Sequence, residues 1–169
     1  PSKKTLLVFG GSRGARSINI AVIDALPKLL ERGDMQIIHV TGELDAERAE
    51  AVKSTPNYHP FAYLHEDMGL AMAAADLCVC RSGASTLGEL PYFGLPSILV
   101  PYPHAWRYQK VNADYLASRG AALVLQDEEM SDTLADHIHA LLNSPADLAQ
   151  MKQAARDLSQ GDAAANIVA

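Results

Sequence analysis

Residues 5–16 read Thr-Leu-Leu-Val-Phe-Gly-Gly-Ser-Arg-Gly-Ala-Arg, a short apolar run that ends at two glycines. The run is typical of a buried β-strand, and Gly10 with Gly11 marks a tight turn after it. From residue 16 to residue 32 the apolar side chains recur at helical spacing, and Gly33 is a helix stop signal. This stretch therefore predicts one strand–turn–helix unit.

The same unit recurs along the rest of the chain. After the first strand, at residues 5–9, further strands are predicted at residues 35–40, 58–63, 77–80, 97–100 and 121–125. Further helices are predicted at residues 43–53, 67–75, 85–93, 107–119, 131–142 and 145–158. Alternation with short connections favours a parallel sheet with helices on both faces. Right-handed crossovers then make a Rossmann-like, doubly wound α/β domain of about six strands the simplest architecture.

Composition limits the classes of partner. The chain has 169 residues, 49% of them hydrophobic, which suits one domain with its own core. Its 14 Lys and Arg against 20 Asp and Glu give a net charge of −6. We therefore expect no nucleic-acid partner and no generally cationic membrane surface. No apolar run reaches the length of a transmembrane helix, and the N-terminus lacks a signal-peptide pattern.

The loop after the first strand has the features of an anion site. In a doubly wound sheet, ligands bind beyond the carboxyl ends of the strands. Ser12, Arg13 and Gly14 lie there, where glycines let the backbone approach a ligand and the next helix presents free N–H groups. The loop matches neither the dinucleotide fingerprint nor the P-loop. A tight turn that needs its glycines only for geometry is an equally good interpretation.

A second candidate anion site follows the fourth strand, where residues 81–89 read Arg-Ser-Gly-Ala-Ser-Thr-Leu-Gly-Glu. Small residues at the start of a helix leave its first amides uncovered, which suits a diphosphate. Glu89, about one turn further along, is placed to accept hydrogen bonds from vicinal ribose hydroxyls. Helix capping by Ser82 or Ser85, with Glu89 as an ordinary surface residue, is the alternative.

The loop after the fifth strand is rich in donors and acceptors. Residues 101–112 read Pro-Tyr-Pro-His-Ala-Trp-Arg-Tyr-Gln-Lys-Val-Asn and include the single tryptophan of the chain, Trp106. His104 and Gln109 offer imidazole and amide groups of the kind that bind sugar hydroxyls. An ordinary capped loop with a surface histidine is the alternative interpretation.

Together these segments resemble the C-terminal, donor-binding domain of the MurG family, the N-acetylglucosaminyltransferases of peptidoglycan synthesis. The resemblance rests on GGSRGARSIN at residues 10–19, FAYLHEDM at 61–68, CRSGASTLGEL at 80–90 and GLPSILVPYPH at 94–104. It spans essentially all 169 residues. It implies one half of a GT-B fold, with an N-terminal acceptor domain absent from this chain. Pro1 in place of Met fits a cut between the two domains.

The resemblance also implies roles for individual residues. Ser12 would contact the donor, His65 would meet uracil largely through its backbone, and residues 84–89 would hold the diphosphate and ribose. Gln109 would bind hydroxyls of N-acetylglucosamine, with His104 close to the sugar and phosphates. The implied substrate-binding set is Ser12, Arg13, Gly14, His65, Arg81, Gly83, Ala84, Ser85, Thr86, Leu87, Gly88, Glu89, His104 and Gln109.

The chain departs from the family pattern beside two of these positions. Arg13 stands where the family usually has Gln, and Tyr108 and Lys110 flank Gln109 where amide side chains are expected. The extra charge of Arg13 either adds a phosphate contact or points outward. The details of sugar recognition are therefore left open.

The implied activity is that of an inverting, metal-independent hexosyltransferase of cell-wall synthesis. UDP-N-acetylglucosamine would be its substrate, no cofactor would be needed, and lipid I would be converted to lipid II. No catalytic base is evident in the sequence, so the resemblance assigns it, with lipid I binding and most membrane contact, to the absent domain. The full-length enzyme would lie on the cytoplasmic face of the bacterial inner membrane. We expect the isolated chain to bind the donor without turnover.

Other functions stay open. The alternatives are a stand-alone donor-binding subunit of a two-chain N-acetylglucosaminyltransferase, a non-catalytic nucleotide-sugar-binding protein and a sugar epimerase.

Cys78 and Cys80 share one face of a strand and are interpreted as buried structural thiols. His137 and His139 diverge on a helix, so no metal site is expected. Residues 127–129, Asp-Glu-Glu, are predicted to form a solvated turn.

Overall fold

A computed structural model describes residues 3–11, 14–31, 33–104 and 108–159. Within these residues one sheet of six parallel strands has the order β3-β2-β1-β4-β5-β6. The strands are β1 Lys4–Phe9, β2 Met35–Val40, β3 Tyr58–Phe61, β4 Leu77–Cys80, β5 Ser97–Leu99 and β6 Ala122–Val124. The predicted α/β class and parallel sheet are confirmed.

The helices lie on both faces of this sheet. They are α1 Arg16–Leu30, α2 Ala46–Glu50, α3 Met68–Ala74, α4 Thr86–Phe93, α5 Tyr108–Ala117, α6 Met130–Leu142 and α7 Pro145–Asp157. One apolar core packs α1 and α6 against the sheet, and a second packs α3, α4 and α5 against the opposite face. The doubly wound arrangement is therefore confirmed.

The helix predicted at residues 43–53 and the strand predicted at residues 58–63 are shorter in the structure for identifiable reasons. The helix predicted at residues 43–53 is a 3-10 turn, Glu43–Asp45, followed by the short α2, because the backbone then closes with i→i+3 bonds such as Val52 N–H to Ala49 O. The strand predicted at residues 58–63 ends at Phe61 and forms an edge of the sheet. Pro60 is tolerated there because the Asn57 and Phe61 carbonyls accept the hydrogen bonds from Ile37 N–H and Thr41 N–H, which do not need an N–H at position 60.

The two cysteines lie in the middle of the sheet. Cys78 and Cys80 are free, fully buried and part of the core beneath α4 and α5. Burial raises the pKa of the Cys78 thiol, and Cys80 beside it raises it further. The interpretation of both as buried thiols is confirmed.

No described helix is both long and apolar enough to cross a bilayer.

Candidate functional site

A cavity of about 960 Å³ opens at the carboxyl ends of β1, β4 and β5. The strand order reverses between β1 and β4, so the connections from these strands diverge to opposite faces and leave a crevice between α1 and α4. The wall is formed by Phe9, Gly10, Gly11, Gly14, Ala15, Arg16, Ser17, Ile20, Leu44, Arg81, Gly83, Ser85, Thr86, Tyr102, Pro103, His104, Gln109 and Asp127.

The glycine loop, with Gly10, Gly11 and Gly14 between β1 and α1, can keep its shape only with glycine at two of these positions. Gly14 has a φ of +74°, and a Cβ there would lie 2.3 Å from the Thr41 carbonyl oxygen. A Cβ on Gly10 would lie 2.2 Å from the Ala15 nitrogen. The turn closes with the Gly14 N–H donating to Gly11 O over 2.9 Å. The loop thus needs these two glycines for its own shape, and that shape brings the start of α1 to the cavity.

The α4 side offers free amides, but not the ones that the sequence suggested. The N–H groups of Thr86 and Leu87 donate to Gly83 O and Ala84 O, each over 3.2 Å. The prediction of uncovered first helical amides is therefore wrong for these two, because the loop folds back as a turn. Within the described part of the chain, the N–H groups of Ala84 and Ser85 donate no hydrogen bond.

The capping roles considered for the serines are not observed. The Ser82 hydroxyl donates to the Gln109 carbonyl oxygen over 2.7 Å, and the Asn112 amide donates to the Ser82 carbonyl over 3.0 Å. Ser82 therefore ties the loop after β4 to α5. The Ser85 side chain makes no capping hydrogen bond and lines the cavity.

Arg81 is buried at the cavity wall, with 8% of its surface exposed. Its guanidinium donates to the carbonyls of Val100 and Pro101 at 3.2 and 3.3 Å and to the Ser17 hydroxyl at 2.7 Å. It also forms an ion pair with Asp127. The charge of Arg81 is thus largely neutralised by the protein. Arg81 has a structural role, since its hydrogen bonds join the end of β4 to α1 and to the segment after β5.

Residues 127–129 form the predicted turn before a helix, with Glu128 and Glu129 exposed, but Asp127 is not a solvated residue of it. Its side chain is 21% exposed, pairs with Arg81 and accepts a 2.9 Å hydrogen bond from the Ser17 hydroxyl. The turn Asp127–Glu129 is short and 3-10 in form, and it brings the carboxylate to the cavity wall. The sequence interpretation failed because Arg81 lies 46 positions away along the chain.

The loop after β5 presents an oriented amide. Gln109 Oε1 accepts the Tyr102 backbone N–H over 2.9 Å, which leaves the two N–H donors of Nε2 for the cavity. The His104 ring meets the Tyr102 ring edge-on, with centroids 5.5 Å apart. Tyr102 in turn lies 5.2 Å from the Arg81 guanidinium. Trp106 lies outside the described residues.

The crevice thus combines a glycine-rich turn, the paired Arg81 and Asp127, and the side chains of Ser85, His104 and Gln109, and the sequence matches a known family over nearly its whole length. The model of the glycosyltransferase family 28 C-terminal domain matches residues 5–167. The chain belongs to glycosyltransferase family 28.

Relatives in family 28 are longer than this chain. A UDP-N-acetylglucosamine–N-acetylmuramyl-(pentapeptide) pyrophosphoryl-undecaprenol N-acetylglucosamine transferase of Roseiflexus sp. (strain RS-1) is 47% identical over 95% of this chain and 42% of that protein. The enzyme of the same name from Geobacter sulfurreducens is 43% identical over 96% of this chain and 46% of that protein. The chain therefore spans less than half the length of these relatives.

Solved structures of the same fold include a family 28 enzyme. The crystal structure of Acinetobacter baumannii MurG superposes with a TM-score of 0.82 at 30% identity, over 99% of this chain and 51% of that one. The resemblance to MurG is thereby confirmed, together with one half of a GT-B fold. The spinosyn forosaminyltransferase SpnP, with a TM-score of 0.72 at 20% identity, covers 99% of this chain and 42% of its own and shares the fold alone.

The structure brings about half of the predicted family 28 site residues together. Those at the cavity wall are Gly14, Arg81, Gly83, Ser85, Thr86, His104 and Gln109. Those away from this wall are His65, Ala84, Leu87, Gly88 and Glu89. Ser12 and Arg13 lie outside the described residues.

The residues away from the wall have different surroundings. Leu87 packs into the second apolar core, whereas Gly88 and Glu89 are exposed on α4. His65 is exposed, has a φ of +41° and stacks on Tyr63 with ring centroids 5.6 Å apart. It lies just before α3, which packs against α4.

Some lining residues were missed at the sequence level. Arg16 and Ser17 directly follow the glycine loop, so their position at the predicted helix start was a usable signal. Leu44 and Tyr102 carry no such signal. Among the described residues no group of three or more His, Cys, Asp or Glu is arranged to hold a metal ion.

Proposed function

We propose that this chain is the UDP-N-acetylglucosamine-binding domain of a glycosyltransferase that acts on lipid I. The observation that carries the proposal is the crevice between β1 and β4, whose wall holds Ser85, with an N–H that donates no hydrogen bond among the described residues, and the oriented amide of Gln109. The names of the family 28 relatives support the choice of donor and acceptor.

The diphosphate is held mainly by neutral donors. The positive end of the α4 dipole and the loop amides face the anion, while Arg81 is already paired with Asp127. Such donors are fixed before the reaction and stabilise the charge that develops on UDP as the glycosidic bond breaks. Because they carry no proton that titrates near neutral pH, this stabilisation is independent of pH there.

The nucleoside lies outside the cavity wall, across the first turn of α4. Glu89 is exposed there and accepts hydrogen bonds from the ribose hydroxyls, and the backbone at His65 meets the uracil. The sugar extends the other way, towards Gln109 and His104. The ligand thus bridges the loops after β3, β4 and β5.

The acceptor and the catalytic base belong to another domain in this proposal. Asp127 is engaged by Arg81 and Ser17, so it is unsuited to take a proton from an acceptor hydroxyl. Residues 1–169 then form one donor-binding domain of an inverting, metal-independent enzyme on the cytoplasmic face of the inner membrane, with its membrane contact mainly elsewhere. The chain alone should not transfer sugar to lipid I.

Isothermal titration tests the proposal. The chain is expected to bind UDP-N-acetylglucosamine, and Gln109→Ala should weaken binding of the sugar nucleotide while leaving UDP affinity unchanged. Gln153→Ala, an exposed glutamine on α7, is the matched control. Failure to bind UDP-N-acetylglucosamine, UDP-glucose or UDP overturns the proposal, and transfer to lipid I by the isolated chain overturns the two-domain division of labour.

A further inference from the structure

Four buried polar side chains form a hydrogen-bonded chain behind the cavity. Asn19 and His39 are 0% exposed, Tyr58 is 3% exposed and Asp45 is 6% exposed. They come from α1, β2, β3 and the 3-10 turn after β2. The cavity described above uses none of these side chains for its wall.

The hydrogen bonds that join these four side chains all point the same way, from Tyr58 through His39 and Asn19 to Asp45. Asn19 Nδ2 donates to the Thr41 carbonyl at 2.9 Å and to Asp45 Oδ2 at 3.0 Å, so Asn19 Oδ1 is the acceptor that faces His39 Nε2 at 3.0 Å. His39 therefore carries its proton on Nε2, and Nδ1 accepts the Tyr58 hydroxyl at 2.8 Å. Burial lowers the pKa of His39 to about 4, although the nearby charge of Asp45 acts in the opposite direction. The lowered pKa keeps the ring neutral in this arrangement.

This series of hydrogen-bonded side chains reaches the cavity at two points, both beside the glycine loop between β1 and α1. The Thr41 carbonyl that Asn19 holds is the same atom that excludes a side chain at Gly14. Asp45 Oδ1 lies 3.7 Å from a guanidinium nitrogen of Arg16, the first residue of α1 and part of the cavity wall. A shift of the turn after β2 would thus be transmitted both to the glycine loop and to the start of α1.

We infer that Asn19 and His39 are positioning residues that fix the glycine loop and the first turn of α1 at the distance needed to receive the donor diphosphate. This rests on the proposed function above. Apolar side chains at these two positions would leave the buried Asp45 carboxylate, the Thr41 carbonyl and the Tyr58 hydroxyl without these partners, so the hydrogen bonds of Asn19 and His39 hold the three groups in one arrangement.

Two variants and one control test the inference. Asn19→Asp is nearly isosteric and sets a carboxylate against Asp45 and the Thr41 carbonyl, and Tyr58→Phe removes only the far hydroxyl. The control is Gln36→Leu, which removes a 3.0 Å hydrogen bond from Gln36 to Thr5 of the neighbouring strand β1, at the opposite end of β2 from His39.

The first measurement needs no ligand. In hydrogen exchange followed by mass spectrometry, Asn19→Asp should speed exchange of the amides of residues 14 and 19, which donate to Gly11 O and Ala15 O, while the Gly94 and Leu95 amides, which close the end of α4, keep their wild-type rates. Gln36→Leu should leave both sets of amides unchanged. Wild-type exchange at residues 14 and 19 in both Asn19→Asp and Tyr58→Phe overturns the inference, whatever the chain binds.

The second measurement compares UDP with uridine. Uridine lacks the diphosphate, and in this inference the glycine loop contributes the second wall of the diphosphate site, opposite α4. Asn19→Asp should therefore weaken UDP binding by about tenfold, as expected for one lost hydrogen bond to a charged group, and leave uridine binding unchanged. Equal weakening of both ligands overturns the positioning role. If Asn19→Asp does not fold, Tyr58→Phe must show the same selective loss on a smaller scale. Absence of UDP binding in the wild-type chain refutes the proposed function instead, and the exchange result still decides the inference.

Discussion

Gly14 shows how one backbone position can serve both the fold and the site. Its φ of +74° disfavours any L side chain, and a Cβ would collide with the Thr41 carbonyl at 2.3 Å. Gly33 has a similar φ of +70° with nothing within 4 Å of a Cβ. Comparing a substitution at Gly14 with one at Gly33 therefore separates the free energy lost to a left-handed backbone from that lost to steric overlap.

Gly14→Ala should lower the free energy of unfolding by about 1–3 kcal/mol more than Gly33→Ala does, because only Gly14→Ala adds overlap in a packed region. Urea denaturation of both variants measures the difference. Equal losses would mean that the turn after β2 can move away from the glycine loop at little cost.

Glu89 carries the proposed ribose contact. Glu89→Ala removes an ionised acceptor, and hydrogen bonds to charged groups contribute about 1.5–3 kcal/mol, so UDP should bind about 10- to 100-fold more weakly. Isothermal titration measures this, with Glu47→Ala on α2, also exposed, as the control. Unchanged UDP affinity would remove the ribose role and leave the diphosphate site in place.

At the scale of secondary-structure elements, the ion pair of Arg81 and Asp127 connects the end of β4 to the turn that precedes α6. Asp127→Asn leaves a buried guanidinium without its counter-ion, and breaking a buried pair typically destabilises a protein by about 3–5 kcal/mol. We expect a loss towards the lower end, since the carbonyls of Val100 and Pro101 remain.

The matched control for this pair is Asp136→Asn, which breaks the solvent-exposed pair between Lys28 and Asp136, whose side chains are 50% and 65% exposed. Exposed pairs add little to stability, so the thermal unfolding midpoint should stay at its wild-type value. A midpoint that falls equally in Asp127→Asn and Asp136→Asn would show that burial of the Arg81 pair has no special effect.

The elements also show where sequence reasoning succeeds and where it fails. The apolar run at residues 5–9 and the helical spacing after residue 16 are local patterns, and both were confirmed. The partners of Asp127 and Asn19 are distant in sequence, at positions 81 and 39, and become neighbours only when the strand order is known. A charged or amide residue met alone in a sequence carries no sign of such a partner.

The stability of the whole molecule should depend on pH through His39. Its pKa is about 4 in the folded protein and 6.5 when unperturbed, so the unfolded chain binds a proton more readily between these values. The contribution is fully present above pH 6.5 and is lost as pH falls towards 4. At about 1.4 kcal/mol per pKa unit it amounts to about 3 kcal/mol.

Urea titrations from pH 7 to pH 4 measure this dependence. His39→Gln should be less stable than wild type at pH 7 but should lose much less stability on acidification. The ion pair of Lys28 with Asp136 does not interfere, because it holds the pKa of Asp136 below 3.8 and so acts at lower pH. Parallel pH profiles of the two proteins would exclude His39 as the titrating group.

The buried cysteines of β4 provide an internal probe of how often the folded domain opens. Both thiols are fully buried, and burial raises the pKa of Cys78, so neither can react with a disulfide reagent until the strand is exposed. Because β4 pairs with both β1 and β5 in the middle of the sheet, its exposure requires the sheet to come apart. The rate of thiol modification in native buffer would therefore report how often the entire domain opens, without a ligand or a denaturant.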